Sequence, residues 1–167
     1  MNKQVRSYHF AASLLSLLVL SVVLVACGVS TAPQTNPQPQ TSIKQTFENQ
    51  ITLLGFTAPA TRDRIQLFWQ AAKTPAGDYN AFVHVLDEQG RVIAQMDKTP
   101  GNGNYPTSQW KQGEVIVDEY AFNAPNLPSG TFTLQIGLYS PTTGKRLALE
   151  GNTNGTVTVS KFEIKKN

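Results

Sequence analysis

From residue 51 to the C-terminal end, apolar and polar residues alternate in short runs, separated by glycine, proline, asparagine and aspartate. Alternation with period two sends successive side chains to opposite faces, the mark of a strand with one buried face. The clearest run is 131–139, with Phe132, Leu134, Ile136 and Leu138 on one face and Thr131, Thr133, Gln135 and Gly137 on the other. Residues 64–71 repeat the pattern, with Ile65, Leu67, Trp69 and Ala71 on the apolar face. Adding 51–57, 79–86, 91–98, 115–122, 145–149 and 156–164 gives eight expected strands, and no stretch keeps a helical period.

Residues 79–86 and 91–98 flank Asp87-Glu88-Gln89-Gly90 and read as a hairpin. With a two-residue turn and no bulge, Val85 lies beside Val92, Val83 beside Ala94 and Ala81 beside Met96. All six are apolar, so this face is expected to point into the core. The other face pairs His84 with Ile93, Phe82 with Gln95 and Asn80 with Asp97. It is mixed in character and is the first place to look for function. Short strands at this spacing predict an all-β fold, an antiparallel β-sandwich of immunoglobulin-like type, with a jelly roll as the alternative. No cysteine pair flanks Trp69, so the sandwich holds together by burial and not by a disulfide.

The N-terminal stretch is a different material. Lys3 and Arg6 precede an apolar run over 10–25, broken by Ser13, Ser16 and Ser21, and no acidic residue occurs before Glu48. A basic start, an apolar middle and a small residue at the cut are the parts of a secretory signal. The run is shorter than the ~20 residues that a membrane-spanning helix needs. The four residues Leu24-Val25-Ala26-Cys27 resemble the lipobox of bacterial lipoproteins. That resemblance implies a diacylglycerol on the Cys27 thiol, cleavage before Cys27, and residence on the extracytoplasmic face of a membrane. Each buried methylene contributes about 0.8 kcal/mol and stable anchoring takes more than one chain, which a diacyl group supplies. Cys27 is the one cysteine in the chain.

Residues 29–45 hold Pro33, Pro37 and Pro39 among Gln, Thr, Asn and Ser. Such a composition buries too little apolar surface to fold and reads as a spacer. At ~3.1 Å per residue it reaches on the order of 50 Å from a bilayer. The expected organisation is a signal over 1–26, a lipidated cysteine and linker over 27–46, and a sandwich over 47–167. Loss of Lys3 and Arg6 with the signal lowers the formal charge of +3 by two, to +1. A near-neutral domain has no electrostatic footprint for nucleic acid. The expected partners are the membrane, through the lipid, and an envelope glycan or another surface protein.

A second resemblance covers most of the domain, from Ile65 to Leu147. It rests on Asp78-Tyr79, Phe82-Val83-His84, Asp87 with Gly90, Asp97, Tyr105-Pro106-Thr107, Trp110, Gly113-Glu114, Asp118, Leu127-Pro128, Gly130 and Gly137-Leu138-Tyr139. These are similar to an accessory β-sandwich that follows membrane-embedded glycosyltransferase-like proteins, and that occurs in lipoproteins, of some environmental bacteria. The likeness implies a fold and an extracytoplasmic setting but no catalytic role. No transferase portion accompanies it in this chain.

The residues offer little chemistry. Beyond the signal, His84 is the one histidine, which excludes a histidine-rich metal site. Asp78, Asp87, Asp97 and Asp118 are scattered and form no calcium-loop motif, so neither a metal nor a cofactor is expected. Ser108, Ser129 and Ser140 lack a nucleophile-elbow context for a triad with His84 and Asp97, so no enzyme activity is expected. Aromatic rings that stack on sugars are the remaining prospect. The candidate binding residues are Phe82, His84, Asp97, Tyr105 and Trp110. The last two sit in a long loop over 99–112, of which 100–110 would also suit the exposed loop of a protease-inhibitor-like sandwich.

Overall fold

The computed structural model describes residues 37–58, 64–122 and 128–164. The expected lipobox, the signal and the first part of the spacer lie outside these residues. Eight strands are described: β1 (Thr41–Phe47), β2 (Ile51–Thr57), β3 (Arg64–Ala71), β4 (Asn80–Leu86), β5 (Val92–Lys98), β6 (Val115–Ala121), β7 (Gly130–Tyr139) and β8 (Thr156–Ile164). They form two four-stranded sheets, ordered β1-β2-β3-β6 and β5-β4-β7-β8. Every pairing is antiparallel. The chain is an all-β antiparallel sandwich. Its core comes from the inward residues of both sheets, among them Leu53, Ile65, Leu67, Trp69, Val83, Val85, Leu134, Ile136 and Leu138.

The sandwich begins earlier than composition suggested. Residues 41–46, read as the end of the spacer, are most of edge strand β1, which pairs with β2 from Thr41↔Phe56 to Phe47↔Ile51. An edge strand needs one backbone partner and can leave polar side chains in water. A test for disorder that weighs apolar content cannot see that pairing. A hydrogen bond of 2.8 Å between the Thr46 and Thr52 hydroxyls adds a cross-strand tie. In contrast, 145–149 is not a strand. It makes isolated bridges, Tyr139↔Arg146 on one sheet and Phe47↔Leu149 on the other, as Leu147 and Leu149 turn into the core.

The β4–β5 hairpin also departs from the simplest register. Asp87 N–H donates to Arg91 O at 3.0 Å, so the turn holds one residue more than a two-residue loop. Gly90 takes the positive φ of 76° that this turn requires. A second irregularity falls between the pairs Leu86↔Val92 and Val85↔Ala94, leaving Ile93 as a bulge. Together they slide the register by two. Val83 faces Met96, Ala81 faces Lys98, His84 faces Gln95 and Phe82 faces Asp97. A slip of two keeps most side chains on their expected face, because the pleat has period two. Val92 is the exception: it precedes the bulge, pairs with Leu86, and is 48 % exposed instead of buried.

The shift has a structural consequence at Lys98, which now lies opposite Ala81 on the inward side. Its ammonium donates to Asp118 Oδ1 at 2.8 Å, and the Asp118 side chain is fully buried. The same oxygen accepts the Asn102 backbone N–H at 3.0 Å. Edge strands β5 and β6, from different sheets, are thereby tied together along with the loop between them. The Lys98 ammonium also lies 4.7 Å from the centre of the Tyr120 ring. Burial pushes the Tyr120 phenol well above its ordinary pKa; the Asp118 carboxylate adds to the rise and the Trp69 indole opposes it. Among the described residues, Trp69 Nε1, Asp118 Oδ2 and the Tyr120 hydroxyl find no partner at full hydrogen-bond geometry.

Candidate functional site

The five candidate residues divide between two places. Trp110 is fully buried in the core, and its Nε1 donates to Tyr105 O at 3.2 Å. It offers no surface to a ligand. The sequence showed a tryptophan in a polar loop, but it could not show that the loop folds inward over the end of the sandwich. Tyr105 is half-buried against the same core, 6.5 Å from the Trp110 ring. Its hydroxyl donates toward Glu114 Oε2 at 3.0 Å and toward Gln109 O at 3.2 Å. Desolvation and the Glu114 carboxylate raise its pKa.

The rest of that loop is also strapped down. Thr107 is buried; its hydroxyl donates to Gly77 O at 2.8 Å and accepts the Tyr79 N–H at 3.0 Å. Asp78 Oδ1 accepts the Ser108 N–H at 3.1 Å. Glu114 Oε2 accepts the Lys111 N–H at 2.9 Å. Much of the motif set that carries the second resemblance is thus spent on anchoring this loop, which leaves Asn102, Gly103 and Asn104 as its exposed tip.

Phe82, His84 and Asp97 lie together on the outer face of the β5-β4-β7-β8 sheet. The Phe82 and His84 rings are 4.9 Å apart at 39°. His84 Nε2 lies 3.5 Å from Asp97 Oδ1, an electrostatic contact at the outer limit for a hydrogen bond. The two-residue register slip produces this pair, because it brings Asp97 opposite Phe82 and diagonal to His84. Among the described residues no serine hydroxyl bonds to His84.

Phe82 is only 2 % exposed although it sits outside the core. It lies across Gly137 of β7, where an added Cβ would collide with the ring atoms Cε1 and Cζ. Glycine is therefore what lets the ring lie flat on the sheet. Above the ring sits the Arg146 guanidinium, its Cζ 4.5 Å from the centroid. Tyr139 flanks it at 6.5 Å. The bare aromatic platform expected from the sequence is thus an aromatic ring roofed by a cation. Arg146 and Thr156 were missed as candidate site residues; the available signal was Gly137, a glycine inside a strongly alternating strand beside the Phe82 strand.

Beside Arg146, at the mouth of the 140–145 turn, is an open groove of about 560 Å³. Tyr79, Ser140, Thr142 and Lys145 line it together with the acidic Glu48 and Asp78. Among the described residues no group of three or more histidine, cysteine or acidic side chains could hold a metal ion, and no helix is long and apolar enough to cross a membrane. No protein family, no curated protein and no solved structure matches the chain.

Proposed function

We propose that the chain is a lipid-anchored protein of the extracytoplasmic membrane face, and that its sandwich is a non-catalytic binding module. The observation that carries the binding half is the outer face of the β5-β4-β7-β8 sheet. There Phe82, His84, Asp97, Tyr139 and Arg146 converge beside an open polar groove. The face presents hydroxyl, imidazole and carboxylate groups on strands, and a guanidinium on a segment bridged to β7, an arrangement that suits a hydroxyl-rich ligand such as an envelope glycan. The strand order supports the immunoglobulin-like form of the sandwich. Counting β2 as the first strand of that fold, β3 lies beside β6 and β4-β7-β8 run in sequence, as strands B–E and C–F–G do there.

The anchor half rests on Leu24-Val25-Ala26-Cys27 behind a basic, apolar leader. In a bacterial host, Cys27→Ala is expected to abolish incorporation of radioactive palmitate and to leave the precursor uncut. Label that survives the substitution defeats the anchor. For the module, purified protein passed over immobilised envelope polysaccharide is expected to be retained. His84→Ala combined with Tyr139→Ala should weaken retention severalfold without changing the far-ultraviolet circular dichroism. Equal retention of the double variant would move the binding surface elsewhere.

A further inference from the structure

Arg146 stands apart from the other arginines of the described structure. Arg64 pairs with Glu119 at 3.0 Å and Arg91 with Asp87 at 2.7 Å. Arg146 has no carboxylate partner among the described residues, yet its guanidinium is held in place. Its Cζ sits over the Phe82 ring, 4.5 Å from the centroid, and Nη1 donates to the Thr156 hydroxyl at 3.0 Å. Thr156 is itself buried, and its hydroxyl donates onward to Asn154 O at 3.2 Å. The backbone is fixed as well: Arg146 bridges Tyr139, and its neighbours make the bonds Leu147 N–H to Leu138 O and Ser140 N–H to Lys145 O, each 2.9 Å.

A guanidinium carries five N–H donors in a planar fork. Stacking on a ring uses a face of the fork and leaves its edges free. Thr156 takes one donor, and the others have no acceptor among the described residues. Arg146 is exposed, so this edge is open to solvent. A planar cation oriented before any ligand arrives loses little further freedom when it binds a carboxylate or a phosphate with two parallel bonds. Lys145 adds a second exposed positive charge on the adjoining groove. The two groove carboxylates already accept backbone N–H groups, Asp78 from Ser108 at 3.1 Å and Glu48 from Ala148 at 3.4 Å.

Building on the binding-module reading, we propose that Arg146 and Lys145 form an anion subsite for an acidic polysaccharide. Arg146 takes the carboxylate or phosphate group of the polymer, and its sugar or polyol hydroxyls lie along Tyr79, Ser140 and Thr142. The groove volume of about 560 Å³ is in the range of small-ligand sites.

The test measures binding of the whole purified protein to three polymers: polygalacturonate, a glycerol-phosphate polymer and neutral dextran. The wild-type protein is expected to bind at least one acidic polymer and to bind dextran at least tenfold more weakly. Tighter binding to polygalacturonate identifies a carboxylate ligand, and tighter binding to the glycerol-phosphate polymer a phosphate ligand. Arg146→Ala should lower acidic-polymer affinity about tenfold or more. Arg146→Lys, which keeps the charge but not the fork, should recover only part of the loss. Thr156→Val, which keeps the arginine but removes its orienting acceptor, should cost severalfold. If Arg146→Ala does not fold, by circular dichroism, Arg146→Lys and Thr156→Val still decide the matter, and full binding by both overturns the subsite. Unchanged binding by folded Arg146→Ala, or equal binding of dextran, overturns the subsite and leaves the module standing. No binding to any polymer overturns the subsite and counts against a glycan-binding module.

Discussion

Trp69→Ala is expected to lower the unfolding free energy by about 3–5 kcal/mol, the range for removing a large aromatic from a packed core. Trp69 lies on β3, a central strand flanked by β2 and β6, and is fully buried. Its backbone neighbours across the sheet are Leu53 and Ile116, and the Phe47 ring lies 6.1 Å away. Phe47 lies on β1 and Ile116 on β6, the two outer strands of this sheet. The void left by alanine is therefore shared by both wings of one sheet. Trp69→Phe should cost much less, under about 1.5 kcal/mol, as a swap that keeps most of the volume. Among the described residues its Nε1 has no acceptor at full hydrogen-bond geometry to leave behind. Urea unfolding followed by circular dichroism measures both. A loss below about 1 kcal/mol for the alanine variant would mean that the site collapses around the missing ring, or that this core is not packed as described.

Asp118→Ala is expected to cost about 3 kcal/mol. Removing one partner of a buried ion pair typically costs ~3–5 kcal/mol, since the other charge is left unpaired. The low end applies because the Lys98 side chain keeps 21 % exposure, which lets its ammonium turn toward water. The substitution also strips the Asn102 N–H of its acceptor. Asp118→Asn keeps an oxygen for both donors and should cost only about 1–2 kcal/mol. Amide exchange gives a second readout: the Asn102 N–H should exchange much faster in Asp118→Ala and near the wild-type rate in Asp118→Asn. An alanine variant as stable as wild type would make the pair an ordinary solvated contact.

These two positions show different degrees of legibility. Trp69 could be assigned to the core from Ile65, Leu67 and Ala71 alone, because alternation within one strand reports which face is buried. Asp118 could not. It lies on a strand that reads apolar on both sides, and its partner Lys98, on the same inward face as Ala94 and Met96, comes opposite Ala81 only after two single-residue irregularities, at the turn and at Ile93, have moved β5 along β4. Bulges are small in sequence and cumulative in register. The same slip is what brings Asp97 to His84.

The candidate surface was half legible. Phe82, His84 and Asp97 do share one face, as strand parity required. The loop was harder to read, because a loop has no periodicity to report its direction: Trp110 lies in the core and Tyr105 is half-buried. Thr107, Asp78 and Glu114 pull this one inward through bonds to segments far away in the chain. The spacer was misread at its end for a related reason. Residues 41–46 are polar, and only the exposed edge of β2 makes a strand of them.

Local chemistry thus specified seven of the eight strands described and the inward or outward sense of most of their residues. It also supplied the lipobox resemblance, which lies outside the described residues. Both are written in neighbouring residues, through the pleat and through a four-residue motif. The roofed Phe82 ring, the oriented Arg146 and the tie between Lys98 and Asp118 are of another kind. Each joins strands or loops that are distant in sequence, and each exists because a glycine, a bulge or a buried hydroxyl lets two segments come close.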